Sequence, residues 1–175
     1  MWDFLITNPE VASAFGTIFS AITAAIALIT TFWGLAIQRR HNILSVCPKA
    51  NFVFGNYEDD IYIKLTNVGI GPLIIKKLYI KKNQEIFESI KASLGNEFNN
   101  IEFRDYVESV TDRVIPPGDN LMLIRYMPRE DNRNDQEYKR LLRKHLSQLE
   151  CVVEFIDLYE KKHPVTRRKG DHFAN

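Results

Sequence analysis

Hydrophobic positions follow two unlike patterns along this chain. From Val11 to Ile37 no residue is charged, a run of 27 positions. A helix rises about 1.5 Å per residue, so the run extends roughly 40 Å against a hydrocarbon core of about 30 Å. This predicts one tilted membrane crossing over about residues 10–38, within an N-terminal segment of residues 1–40. Beyond it, residues 41–175 change to period two. "DIYIKLTN" sets Ile61, Ile63 and Leu65 against Tyr62, Lys64 and Thr66. "KLYIKK" turns Leu78 and Ile80 inward and Tyr79 outward, and "NLMLIRY" sets Leu121 and Leu123 against Met122 and Ile124. "CVVEFIDLY" is apolar on both sides, the pattern of a central strand, with "HPVTRR" as a hairpin partner. "ANFVF" and "RVI" are shorter strand candidates.

Turn residues separate these runs: Gly69, Gly71 and Pro72 in "NVGIGP", and Pro116, Pro117, Gly118 and Asp119 in "PPGDN". Two helices interrupt them. Residues Ile86 to Leu94 form one candidate. In "DQEYKRLLRKHLSQLE", residues Tyr138, Leu141, Leu142, His145, Leu146 and Leu149 make one apolar stripe, and Asn134 and Glu137 have capping-box spacing. The predicted fold is mainly β: a single N-terminal transmembrane helix, then an antiparallel β-sandwich or barrel-like domain with one or two covering helices.

A cleaved signal peptide would need a basic start and a shorter apolar core, and neither is present. Arg39 and Arg40 follow the span and nothing basic precedes it. The positive-inside rule therefore predicts an N-terminus outside and a cytoplasmic C-terminal domain at a bacterial inner membrane, with Trp33, Arg39 and Arg40 as anchors. Asn8, Pro9 and Glu10 read as a helix start, and Trp2 and Phe4 as outer interfacial aromatics. Arg39 to Ser45 reads as a helical extension or a short linker.

The uncharged helix has two faces. Ser13, Ser20, Ala27 and Gly34 share one heptad position. Thr17, Ala24 and Thr31 lie about 40° to one side, and Gly16, Thr23 and Thr30 about 60° to the other. All of these are Gly, Ala, Ser or Thr, whereas the remaining positions from Ser13 to Trp33 hold only three small residues, Ala14, Ala21 and Ala25, beside Phe15, Ile18, Phe19, Ile22, Ile26, Leu28, Ile29, Phe32 and Trp33. Small residues let membrane helices approach, and hydroxyls can bond across the interface or to their own helix. The small face predicts a homo-oligomer, and a water-filled pore is a further step along the same line.

The domain carries no G-x-S-x-G, P-loop, G-x-G-x-x-G or H-E-x-x-H sequence. Its four histidines are scattered, and no catalytic residue, metal site or cofactor is expected. Cys47 and Cys151 read as small buried hydrophobes. Lys76, Lys77, Lys139, Arg140, Arg143 and Lys144 stand in basic clusters, the last four opposite the leucines of the helix. Such clusters serve as solvated surface, as contacts to anionic lipid, or as a pocket for a phosphorylated signal such as a nucleotide messenger. Direct nucleic-acid binding is not expected.

An N-terminal span ending in a basic pair, then "IYIKLTNVGIGPLIIKKLYI", "VIPPGDNLMLI", a helix and "VVEFIDLYEKK", resembles a recurrent type of small bacterial single-pass membrane protein with a cytosolic β-sandwich. The layout is similar to transmembrane effectors of bacterial anti-phage systems. That resemblance implies a non-enzymatic inner-membrane effector: the β-domain senses a trigger and the helices oligomerise and disrupt the membrane. The other reading is a tethered adaptor whose β-domain binds a partner protein, with the span a passive anchor.

Overall fold

A computed structural model describes residues 9–99, 101–127 and 135–174. Asn8, Trp2, Phe4 and Asn134, assigned above to a helix start, an interface and a cap, lie outside the described residues. The chain divides into two compact units at Leu44/Ser45.

The first unit is one unbroken helix, α1 (Pro9–Leu44). It absorbs the basic pair and most of the expected linker. Among the described residues it is the one helix long and apolar enough to cross a membrane, with mean hydropathy 1.9 over an 18-residue window within Glu10–Ile43.

The second unit is an antiparallel sandwich. One sheet has the order β1 (Ala50–Asn56), β2 (Ile61–Asn67), β7 (Asn120–Tyr126), β5 (Asp105–Tyr106). The other has the order β4 (Glu85–Phe87), β3 (Leu73–Lys82), β8 (Glu150–Ile156), β9 (Thr166–Lys169), with β6 (Val114–Ile115) paired to β3. Phe52, Ile61, Ile63 and Leu65 from the first sheet and Leu73, Ile75, Ile80 and Val153 from the second share one core. Each large side chain removed from water there contributes about 2 kcal/mol. As a central strand, β8 buries Cys151, Val153 and Phe155 in that core and Val152 on its other face.

Three sequence expectations are corrected. In β7 the alternation breaks at a bulge: Ile63 pairs with Ile124 but Lys64 with Met122, leaving Leu123 as the extra residue. The bulge puts Leu121, Ile124 and Tyr126 opposite Leu65, Ile63 and Ile61, so Leu121 and Ile124 share a face. The helix expected from Ile86 to Leu94 shrinks to one turn, α2 (Ile90–Ser93), capped by Ser89. Residues Glu85–Phe87 instead return on β3, because Asn83 and Gln84 adopt φ of 47° and 76° in a two-residue hairpin turn. The partner of β8 in the last hairpin begins only at Thr166, with Lys162 bridging Ile156 and His163 to Val165 looping out between.

The helix expected after β7 forms as α3 (Asp135–Ser147). Leu142, His145 and Leu146 are buried, and Tyr138 and Leu141 pack on the core edge. It closes the end of the sandwich where β1 and β7 finish. Tyr126 donates a 2.5 Å hydrogen bond to Asp135, and Arg143 donates to Asn56 Oδ1 at 2.7 Å and to Tyr57 O at 3.0 Å.

The opposite end, where the chain comes in from α1, is held by Asn67. This side chain is fully buried and makes four bonds. Its Nδ2 donates to Gly71 O at 2.7 Å and to Ile115 O at 3.0 Å. Its Oδ1 accepts from the backbone N–H of Lys49 at 3.2 Å and of Gly69 at 3.0 Å. A Cβ at Gly71 would stand 1.7 Å from Val46 O, so the loop lies flat on the incoming chain only without a side chain. Replacing Asn67 by Ala strands these buried groups and should cost about 3 kcal/mol, read as a lowered denaturant midpoint of the detergent-solubilised protein. Gly71→Ala should cost at least as much, and an unchanged midpoint in both would refute the clamp.

Candidate functional site

Three places carry the chemistry of this molecule: the small face of α1, the basic groups of the domain, and a polar cluster beside the Asn67 clamp.

On α1, residues Ser13, Gly16, Thr17, Ser20, Thr23, Ala24, Ala27, Thr30, Thr31 and Gly34 are all exposed. So are the bulky Phe15, Phe19, Phe32 and Trp33 on the remaining surface. A Cβ at Gly16 or Gly34 would meet nothing within 4 Å. The threonine hydroxyls are turned inward. Thr17 donates to Ser13 O at 3.0 Å, Thr23 to Phe19 O at 2.8 Å, Thr30 to Ala27 O at 3.0 Å and Thr31 to Ala27 O at 2.7 Å. Each threonine therefore offers a neighbouring helix its methyl group and an oxygen that can still accept. Small residues with hydroxyls bonded to their own helix leave this face open to close backbone approach and with few free donors. Arg39 and Arg40 lie exposed within α1, and Trp33 is 70% exposed.

The six basic residues do not form one patch. Lys139 is 4% exposed and paired with Asp135 at 2.7 Å, and Arg143 is held by Asn56 and Tyr57. These two are internal ties of α3, which leaves Arg140 and Lys144 on its open face. Lys76, on β3, pairs with Asp112 at 2.6 Å, and Lys77 lies over the Tyr79 ring. None of the six lines either of two hollows on the domain surface. One, of about 290 Å³, is lined by Lys91, Leu94, Phe98 and Tyr106 among others. The other is open and basic, lined by Arg167, Arg168, Lys169, Asp171 and His172. Arg168 is partly committed there, since it donates to Phe52 O and stacks over Phe54, tying the edge of β9 to that of β1.

His145 is fastened in the core beneath α3, as its place on the apolar stripe implies. Lys82 Nζ lies 3.1 Å from its Nδ1, and Ser93 Oγ lies 3.2 Å from its Nε2. An ammonium only donates, so Nδ1 accepts and the proton sits on Nε2, facing Ser93. Burial, and secondarily the Lys82 charge, hold this imidazole down at about 4.

The cluster that sequence reading missed lies where residues 46–49 are clamped. Cys47 was expected to be a buried hydrophobe, as Cys151 is, but Cys47 is only half-buried. Its Sγ lies 3.9 Å from His163 Nδ1. His163 Nε2 lies 3.0 Å from Asp157 Oδ2, and the imidazole stacks on Phe155 with 5.4 Å between ring centres. Asp157 is 1% exposed, and its Oδ1 accepts from the N–H of Tyr159 at 2.8 Å and of Lys161 at 3.0 Å. Burial alone would raise its pKa; the His163 bond and the two backbone donors outweigh that and hold it below the ordinary carboxylate value. The carboxylate accepts at Nε2–H, which leaves Nδ1 free to face the thiol. Asp157 and His163 are six residues apart but Cys47 lies 116 positions before His163, so no local motif announces the three together. The one visible signal is a Cys three residues past a helix long and apolar enough to cross a membrane.

No protein-family model matches the chain, and comparisons with curated proteins and with solved structures find no similar protein.

Because His145 is neutral in the folded state and titrates near 6.5 when unfolded, acid favours unfolding. Stability should fall between pH 6.5 and about 4, by on the order of 2 kcal/mol more in the native protein than in His145→Gln. Denaturant titrations of both at pH 7 and pH 4 measure it, and parallel pH dependences would rule it out.

Proposed function

We propose that this protein is a non-enzymatic membrane effector. Copies associate through the small face of α1, the β-domain responds to a trigger, and the resulting helix bundle perturbs the bilayer. One observation carries the reading: α1 is a continuous helix, long and apolar enough to cross a membrane, with one small face and one bulky face. A lipid-facing anchor gains nothing from that segregation, whereas a helix that packs against its own kind does. The heptad spacing of the small residues favours a left-handed bundle.

The orientation follows the basic pair, with the domain in the cytoplasm of a bacterial cell and the span in its inner membrane. The resemblance to anti-phage effectors supplies the setting, in which membrane damage stops growth of an infected cell. The exposed Arg167 and Lys169 of the open hollow suit an anionic trigger such as a nucleotide messenger.

A second reading, the tethered adaptor, has its own support. The threonines of α1 bond to their own helix and need no partner to be satisfied.

Ser20→Leu, Ala24→Leu and Ala27→Leu together should abolish oligomers in bilayers and membrane depolarisation on overexpression, while leaving insertion intact. Oligomers and depolarisation persisting in the triple variant would exclude the bundle. Exchanging α1 for a polyleucine helix separates the readings, since an adaptor keeps its function and an effector loses it.

A further inference from the structure

We propose that Cys47 is an acyl-acceptor thiol, with His163 as its base and Asp157 as the residue that positions the base, and that it takes a long-chain acyl group from a thioester. The inference is independent of whether α1 self-associates.

Three observations converge on it. The first is the order of contacts: a half-buried thiol, an imidazole nitrogen within reach, and a buried carboxylate on the far nitrogen. A nucleophile, a base and an orienting group in this sequence are the working parts of acyl transfer. The second is exposed apolar surface on the two loops that hold the thiol and its base. Ile70 and Val68 are 66% and 53% exposed on the loop whose Ile70 N–H bonds to Cys47 O at 3.2 Å. Leu158 and Tyr159, each 59% exposed, stand on the turn built around Asp157. These large, exposed apolar side chains project from the two loops that hold the thiol and its base, and an alkyl chain would cover them. The third is position in the chain. Cys47 comes three residues after the end of α1, the place where acylated cysteines accompany membrane helices.

The step balances without a further reagent. Cys47 Sγ attacks the thioester carbonyl carbon as its proton passes to His163 Nδ1. The new S–C bond forms, the donor's C–S bond breaks, and His163 returns the proton to the departing thiolate. Asp157 keeps the imidazole in the tautomer that this needs and offsets its charge while protonated. Cys151 is excluded as the acceptor, because it is 1% exposed and burial pushes its thiol up to about 12. With no second thiol in contact with Cys47 among the described groups, acyl transfer fits the site better than disulfide chemistry.

The test uses the full-length protein in phosphatidylcholine liposomes with palmitoyl-coenzyme A as the probe, read by intact mass. The native protein and Cys151→Ser should each gain one hydroxylamine-sensitive acyl group, and Cys47→Ser none. His163→Gln and Asp157→Asn should be slowed about 100-fold. Melting curves report whether these two variants fold. Should they not fold, Ile70→Ser with Leu158→Ser serves instead. That double change is confined to exposed side chains, and should slow transfer from palmitoyl-coenzyme A while leaving acetyl-coenzyme A unaffected. Absence of acylation on Cys47, folded His163→Gln reacting at the native rate, or indifference to Ile70→Ser with Leu158→Ser would each overturn the proposal.

Discussion

The sandwich depends on a single buried amide. Asn67 uses both donors and its acceptor oxygen on backbone groups from three segments, and it does so where water cannot substitute. Its own backbone adds two more bonds: Asn67 N–H to Asp119 O at 3.0 Å and Gly118 N–H to Asn67 O at 2.9 Å. The "N-x-G-x-G-P" and "P-P-G" elements are therefore two sides of one closure. The glycines are there because the chain passes within van der Waals distance of residues 46–49. The pattern reflects packing, since each of these groups is spent on the closure.

That closure has a functional consequence. It fixes the backbone of Cys47 against the 67–71 loop, and the neighbouring turn fixes Asp157 and His163 from the other sheet. A thiol and its base are held in register by two loops that share no hydrogen bond with helix α3. At the far end, α3 commits four of its polar groups to internal ties. Lys139, Arg143 and Asp135 are structural ties, and His145 is a neutral member of the core. The division of labour is physical: charges that close a buried end are unavailable to a ligand, while open loops keep theirs.

The periodicities of the chain made much of the architecture legible. A span of 27 uncharged residues can be satisfied only as a helix in lipid, because every backbone group must bond within the segment. The alternation in Ile61–Asn67 and the stripe in Asp135–Ser147 forced a buried face in each case. Legibility failed where a local backbone event reset the pattern. The turn at Asn83 and Gln84 gave Ile86 a strand partner, and the bulge at Leu123 moved Ile124 to the core. The basic clusters were visible as letters, but whether Lys139 faces water or Asp135 is decided by how deeply α3 seats on the sheet.

By itself the sequence determined that this protein has one apolar helix with a slender side and a stout side, followed by a two-layered β-domain with a covering helix. Hydrophobic period and turn chemistry are local properties and need nothing beyond neighbouring residues. Only the tertiary structure decided that Cys47, Asp157 and His163 meet, because that contact spans 116 positions of the chain. It exists only once β1, β2 and β8 have been stacked, and no spacing rule along a chain encodes a meeting that depends on how two sheets are laid together.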